Sequence, residues 1–195
     1  MRTVTDPPPQ RPVHAKELSG QVVGVTDGDT LTLLDAYNTQ YKVRLAGIDA
    51  PESAMNWGHK AKTALAELTF RRQVIVLWDK TDRYGRTLGK VMVDGRDVNL
   101  RLIDQGMAWH YKKYQKDQSS EDRDLYSRSE DDSRTQKKGL WSEPNPIPPW
   151  EWRRGSKIRF PSLYRSLIRP VRHEADQASN LERTPWNVRG SSKMC

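Results

Sequence analysis

The sequence predicts a mainly β chain with helices (α+β), built as a small closed barrel of five strands with three helices. Three observations carry this. Short stretches of strand-type hydrophobicity run through the first hundred or so residues, helical spacing interrupts them once after the third stretch, and further helical segments follow the last one. That order suggests a barrel of OB type, a fold often used to bind oligonucleotides, although fold alone does not fix function.

Taken in order, residues 21–25 and 30–34 read as two strands around the turn-forming Thr26-Asp27-Gly28-Asp29, a hairpin. In a third strand, 41–45, Tyr41, Val43 and Leu45 share one face while Lys42 and Arg44 point to the other. Between 58 and 70 the period changes, and Ala61, Ala64, Leu65 and Leu68 fall at helical spacing. Residues 74–78 form an apolar run suited to a buried strand, and 88–93 with the Asp94-Gly95 turn supply the fifth. Asp97 can cap a second helix bearing Val98, Leu102 and Ile103, which Gly106 would stop as a C′ glycine. A third helix, 122–138, is poor in apolar residues but carries the i,i+4 pairs Asp124/Arg128 and Glu130/Arg134, and Gly139 is expected to end it.

Four segments follow: a disordered arm over 1–17, the barrel domain over 18–143, a Pro/Trp strap over 144–152 and a basic, largely disordered tail over 153–195. The arm is polar and proline-rich, with too little apolar surface to offset ordering entropy. Pro7, Pro8 and Pro9 stand where a signal peptide would carry its apolar core, so none is expected, and no apolar run reaches membrane-spanning length. The strap holds Pro144, Pro146, Pro148 and Pro149, with Trp150 and Trp152 expected to pack it against the barrel. One short helix is possible in the tail near 163–168.

Lysine and arginine number 33 against 25 acids, a formal charge of +8, so a polyanionic partner is the first expectation. Cys195 is the single cysteine, which excludes an intrachain disulfide and a cysteine-based metal site. His14, His59, His110 and His173 are dispersed and none has zinc-ligand spacing; His110 is expected at the surface or on a binding face.

Three clusters bear chemistry. In Asp27-Gly28-Asp29-Thr30 a glycine permits a tight turn and places two carboxylates at a strand end. In Arg44-Leu45-Ala46-Gly47-Ile48-Asp49-Ala50-Pro51-Glu52 a strand delivers an arginine, and the next turn delivers two acids whose relative directions Pro51 stiffens. In Asp82-Arg83-Tyr84-Gly85-Arg86 two arginines and a ring beside a glycine could hold phosphate and stack a base. Each cluster is commonplace by itself; the ordered set is not.

DGDT, then RLAGIDAPE, then DRYGR, resembles the staphylococcal (micrococcal) nuclease, or thermonuclease, family over about 18–141. The resemblance implies calcium (Ca2+) held by the carboxylates of Asp29 and Asp49 and the main-chain carbonyl of Ala50. It implies Glu52 as general base and Arg44 and Arg86 as phosphate clamps. Arg83 and Tyr84, with Tyr111 and Tyr114 in the aromatic segment after Gly106, are the expected substrate contacts. The implied activity is a calcium-dependent, sugar-non-specific endonuclease that leaves 3′-phosphate products from DNA and RNA, single strands preferred, acting as a monomer without membrane. Two departures stand out: Ala50 replaces a threonine of the best-known member, and the connection from Glu52 to the first helix is shorter. The alternative is a catalytically inactive OB module that binds nucleic acid or a protein, which would have no reason to keep Asp29, Asp49, Glu52, Arg44 and Arg86 together.

Overall fold

The structure, a computed structural model, describes residues 16–155. The expected arm up to residue 15, the tail from 156 and the possible helix over 163–168 lie outside the described residues.

Five strands make the barrel: β1 (Lys16–Asp27), β2 (Thr30–Leu34), β3 (Gln40–Leu45), β5 (Gln73–Thr81) and β6 (Thr87–Val93). Each antiparallel neighbour pairs in the order β3-β2-β1-β5-β6, and a parallel β3–β6 contact, Val43 opposite Thr87 through Leu45 opposite Gly89, closes the ring. Closure removes the exposed sheet edges on which a small open sheet would aggregate. Register shifts in β1 and β5 mark the bends that closure requires. Inward positions alternate as the period-two pattern predicts: Val22, Leu31, Leu33, Val43, Leu45, Val74, Val76, Val91 and Val93 are buried.

Helix α1 (Gly58–Thr69) buries Ala61 and Leu65 against the barrel, the stripe read from the sequence. Helix α2 (Val98–Asp104) starts at Asp97, whose side chain accepts from the Leu100 amide, and ends at Gly106 with φ +66. Helix α3 (Ser120–Thr135) is capped by Ser119 and packs Tyr126 into the same core. Two short strands, β4 (Ile48–Asp49) and β8 (Trp109–His110), pair beside the barrel; β7 (Arg96–Asp97) folds back to pair antiparallel with the end of β6.

Several expectations need correction. Lys16 and Glu17, assigned to the arm, belong to the barrel, because β1 runs back to pair with the far end of β5, Lys16 opposite Trp78. Helix α3 gives way at Lys137, which itself takes φ +52; Gly139 two residues later is needed because a Cβ there would strike the Gly106 carbonyl. His110 is buried, its ring against Tyr126, instead of lying at the surface. A fourth helix, α4 (Pro149–Gly155), replaces the extended end of the strap and takes in residues 153–155 assigned to the tail. Its first residue is a proline whose missing N–H would have been unpaired in any helix, so the chemistry read as ending regular structure also starts it.

Candidate active site

The hairpin β1–β2, the end of β3 and the strand β4 converge on one side of the barrel. Asp29 follows the turn glycine and is buried, with its Oδ1 accepting from the Thr30 hydroxyl at 3.1 Å and its Oδ2 from the Ala50 amide at 2.9 Å. Gly28 does not adopt a positive φ; a Cβ there would lie 2.7 Å from the methyls of Ala50 and Ala61. The glycine is therefore required for close approach and not for turn geometry, and it lets the hairpin tip sit on the loop that carries the second acid.

Arg44 joins the two aspartates. Strand pairing sets it opposite Thr30, and its guanidinium meets Asp29 Oδ2 through Nη1 at 2.7 Å and Asp49 Oδ1 through Nη2 at 2.8 Å. Asp49 has no solvent exposure. Its place is fixed from three directions: pairing of β4 with β8, the Tyr111 amide bound to the Gly47 carbonyl at 2.8 Å, and Asn99, which donates to the Ala46 carbonyl at 2.9 Å. Burial pushes the Asp29 carboxyl up to about 7 in spite of Arg44, with Asp27 adding to the rise.

Glu52 follows Pro51 and keeps part of its side chain in solvent. Its carbonyl accepts from the Met55 amide at 2.8 Å, and Gly58 is packed so closely behind it that a Cβ would strike that carbonyl. The short connection to α1 is therefore a tight turn that holds Glu52 from behind.

A residue the sequence reading left in the tail completes the cluster. Arg153 of α4 reaches Asp49 Oδ2 through Nη2 at 2.6 Å and Glu52 Oε1 through Nη1 at 2.6 Å. It also meets the Tyr111 hydroxyl. Trp150, one turn earlier, stacks on Tyr111 with ring centroids 5.3 Å apart and an interplanar angle of 18°, and sits edge-on to Trp109. The only advance signal for Arg153 was a basic run, Arg153-Arg154, following two tryptophans.

Arg86 stands apart from these contacts. Its Nε and Nη2 both meet Asp82 Oδ2, at 2.8 and 2.7 Å. Burial alone would raise the Asp82 carboxyl, but the amides of Arg86 and Tyr84 and the Arg86 side chain outweigh it and hold it below the usual range. Arg86 immediately precedes β6, whose first residue lies opposite Val43, so the barrel seam sets its backbone beside the Arg44 strand. The structure thus brings Asp29, Arg44, Asp49, Ala50 and Glu52 together and leaves Arg86 latched to its own loop. Arg83 lies over the exposed Tyr84 ring and donates to its hydroxyl at 2.6 Å. Tyr111 and Tyr114 meet edge-to-face, 5.1 Å between centroids.

Among the described residues no group of three or more His, Cys, Asp or Glu side chains is placed to hold a metal ion. The expected donor set, two carboxylates and one main-chain carbonyl, would not form such a group. Its all-oxygen chemistry fits a hard divalent cation.

Comparison with known proteins agrees with this fold. The family model described as staphylococcal nuclease homologue matches residues 42–143. An uncharacterized endonuclease of Haemophilus influenzae is 40% identical over 147 residues, covering 75% of this chain and 79% of the relative. A micrococcal nuclease of Shigella flexneri is 43% identical over 150 residues, covering 72% and 83%. An uncharacterized endonuclease of Escherichia coli O157:H7 is 37% identical over 143 residues, covering 73% and 89%. Fold and site together define a nuclease built on a closed OB-type barrel. The chain belongs to the staphylococcal nuclease family.

Proposed function

We propose that this nuclease is a calcium-dependent, sugar-non-specific endonuclease that hydrolyses DNA and RNA, single strands preferred, to 3′-phosphate products, working as a monomer. The observation that carries the reading is the Asp29–Arg44–Asp49 bridge, with Glu52 bound to Asp49 through one shared guanidinium.

Asp29, Asp49 and the Ala50 carbonyl would hold calcium. Bound there, the ion would polarise the phosphoryl group and leave coordination positions for water and substrate. The carboxylate of Glu52, at the solvent edge of the cluster, would take the proton from the attacking water. Arg44 and Arg86 would donate N–H groups to the phosphoryl oxygens as charge gathers there. Arg86 leaves Asp82 to do this, or turns its remaining donors outward. A guanidinium is a poor proton donor, so the leaving 5′ oxygen takes its proton from solvent. Phosphate clamps and stacked rings read neither the 2′ position nor a base edge, which is why both sugars are accepted.

Release of acid-soluble fragments from single-stranded DNA and from RNA, measured with calcium and with chelator, tests the proposal. Both substrates should be cut with calcium alone. Undiminished cleavage after thorough chelation would remove the metal from the mechanism.

A further inference from the structure

Helix α4 makes two adjoining contacts in the site, and both imitate something else. The indole of Trp150 lies flat on Tyr111, the ring expected to stack a base. The guanidinium of Arg153, a fixed positive charge, spans Asp49 and Glu52. Both oxygens of Asp49 are taken: Oδ1 by Arg44 at 2.8 Å and by Arg153 at 3.3 Å, Oδ2 by Arg153 at 2.6 Å. A cation that ligates Asp49 must therefore share an oxygen with Arg153 or displace its N–H. The proton acceptor Glu52 is held by the same group, through Nη1 at 2.6 Å. Pro149 is buried and Trp150 also packs on Trp109, so apolar contact seats the helix on the barrel alongside the ion pairs.

We propose that α4 is an internal plug: Arg153 occupies the cation position and competes with calcium for Asp49, so that metal loading and release of Arg153 are one linked event. The inference rests on the calcium reading above and adds its regulation. A ligand that binds only the unplugged arrangement has its affinity reduced by the fraction of molecules in which that arrangement exists. Arg153 is 42% exposed, which discounts the strength of its ion pairs, but two charge-assisted contacts to a fully buried partner remain.

The test is a calorimetric titration of calcium chloride into the full-length wild type, Arg153→Gln and Arg153→Lys, with circular dichroism to show that all three are folded. Arg153→Gln should bind calcium about tenfold more tightly than wild type. Arg153→Lys, which keeps the charge but loses the planar fork, should lie between them. Wild type and Arg153→Gln binding with equal affinity, or Arg153→Gln binding more weakly, would overturn the plug while leaving the calcium reading intact. Absence of binding in all three would overturn both.

Discussion

Arg86 is held by Asp82 through two nitrogens on one carboxylate oxygen, Nε at 2.8 Å and Nη2 at 2.7 Å, while the amides of Tyr84 and Arg86 bind the other oxygen of the same residue. One aspartate thus shapes the loop and parks its arginine. If Arg86 neutralises the phosphoryl group, Arg86→Ala should lower turnover by about 10²–10³, the loss seen when one donor to a developing oxyanion is removed. Steady-state rates on single-stranded DNA check this, and turnover within threefold or so of wild type would exclude Arg86 from the reaction.

Glu52→Gln keeps the size of the side chain and its contact with Arg153 but removes the proton acceptor. Turnover should fall by about 10²-fold or more with the fold unchanged. Parallel assay and thermal melting separate the two effects. A variant that cuts at nearly the normal rate would require another base.

Gly28→Ala puts a methyl into the 2.7 Å contacts with Ala50 and Ala61. Overpacking of this kind costs about 1–3 kcal/mol. Because the displaced atoms lie next to Asp29 and Ala50, activity should fall further than the loss of folded protein explains. Chemical denaturation and activity at a fully folded concentration distinguish the two; a variant with normal stability and activity would refute the tight contact.

Tyr126 donates to Asp97 Oδ2 at 2.8 Å, and Asp97 caps α2. Removing the hydroxyl leaves a largely buried carboxylate short of one donor, so Tyr126→Phe should cost about 1–3 kcal/mol in denaturant unfolding. Turnover should not change, since neither residue touches the acid cluster.

His110 gives a pH dependence with a definite sign. Its Nε2 meets Gln118 Oε1 at 2.9 Å while Nδ1 has no partner, and burial lowers its pKa below the ordinary 6.5. Below that value the unfolded chain binds a proton that the native one refuses. The stabilisation from a neutral His110 is therefore present above about 6.5 and is lost as pH falls through the depressed folded value. Comparing urea midpoints at pH 7.5 and 5.5, His110→Gln should show a smaller loss on acidification than wild type. An equal loss in both proteins would contradict the assignment.

The barrel was legible because its strands are short alternating or continuous apolar runs and its second helix carries a start signal, Asp97, and a stop signal, Gly106. The core of the site was legible because Asp29, Arg44, Asp49 and Glu52 sit within two short motifs at adjoining strand ends. Arg153 was not, because it lies 104 residues from Asp49 and no local periodicity encodes a contact across that separation. His110 was misjudged for a related reason: its strand has two residues, too few to show which face is buried. Gly28 was assigned the correct place and the wrong cause, since sequence reveals where a glycine stands but not which neighbour excludes a methyl.

Leu45 and Ala46 tie the hydrolytic centre to the ring's weakest joint. Three residue pairs hold β3 to β6, supplemented by the Ala46 amide on the Gly89 carbonyl at 2.8 Å, while the Leu45 amide on the Asp29 carbonyl at 2.9 Å ties the same strand end to the start of β2. Arg44 lies within that joint and Arg86 borders it. A breathing motion that unzipped the joint would scatter both guanidiniums and their acids at once, so deuterium uptake at the Ala46 amide would serve as a direct gauge of how long the chemistry stays assembled.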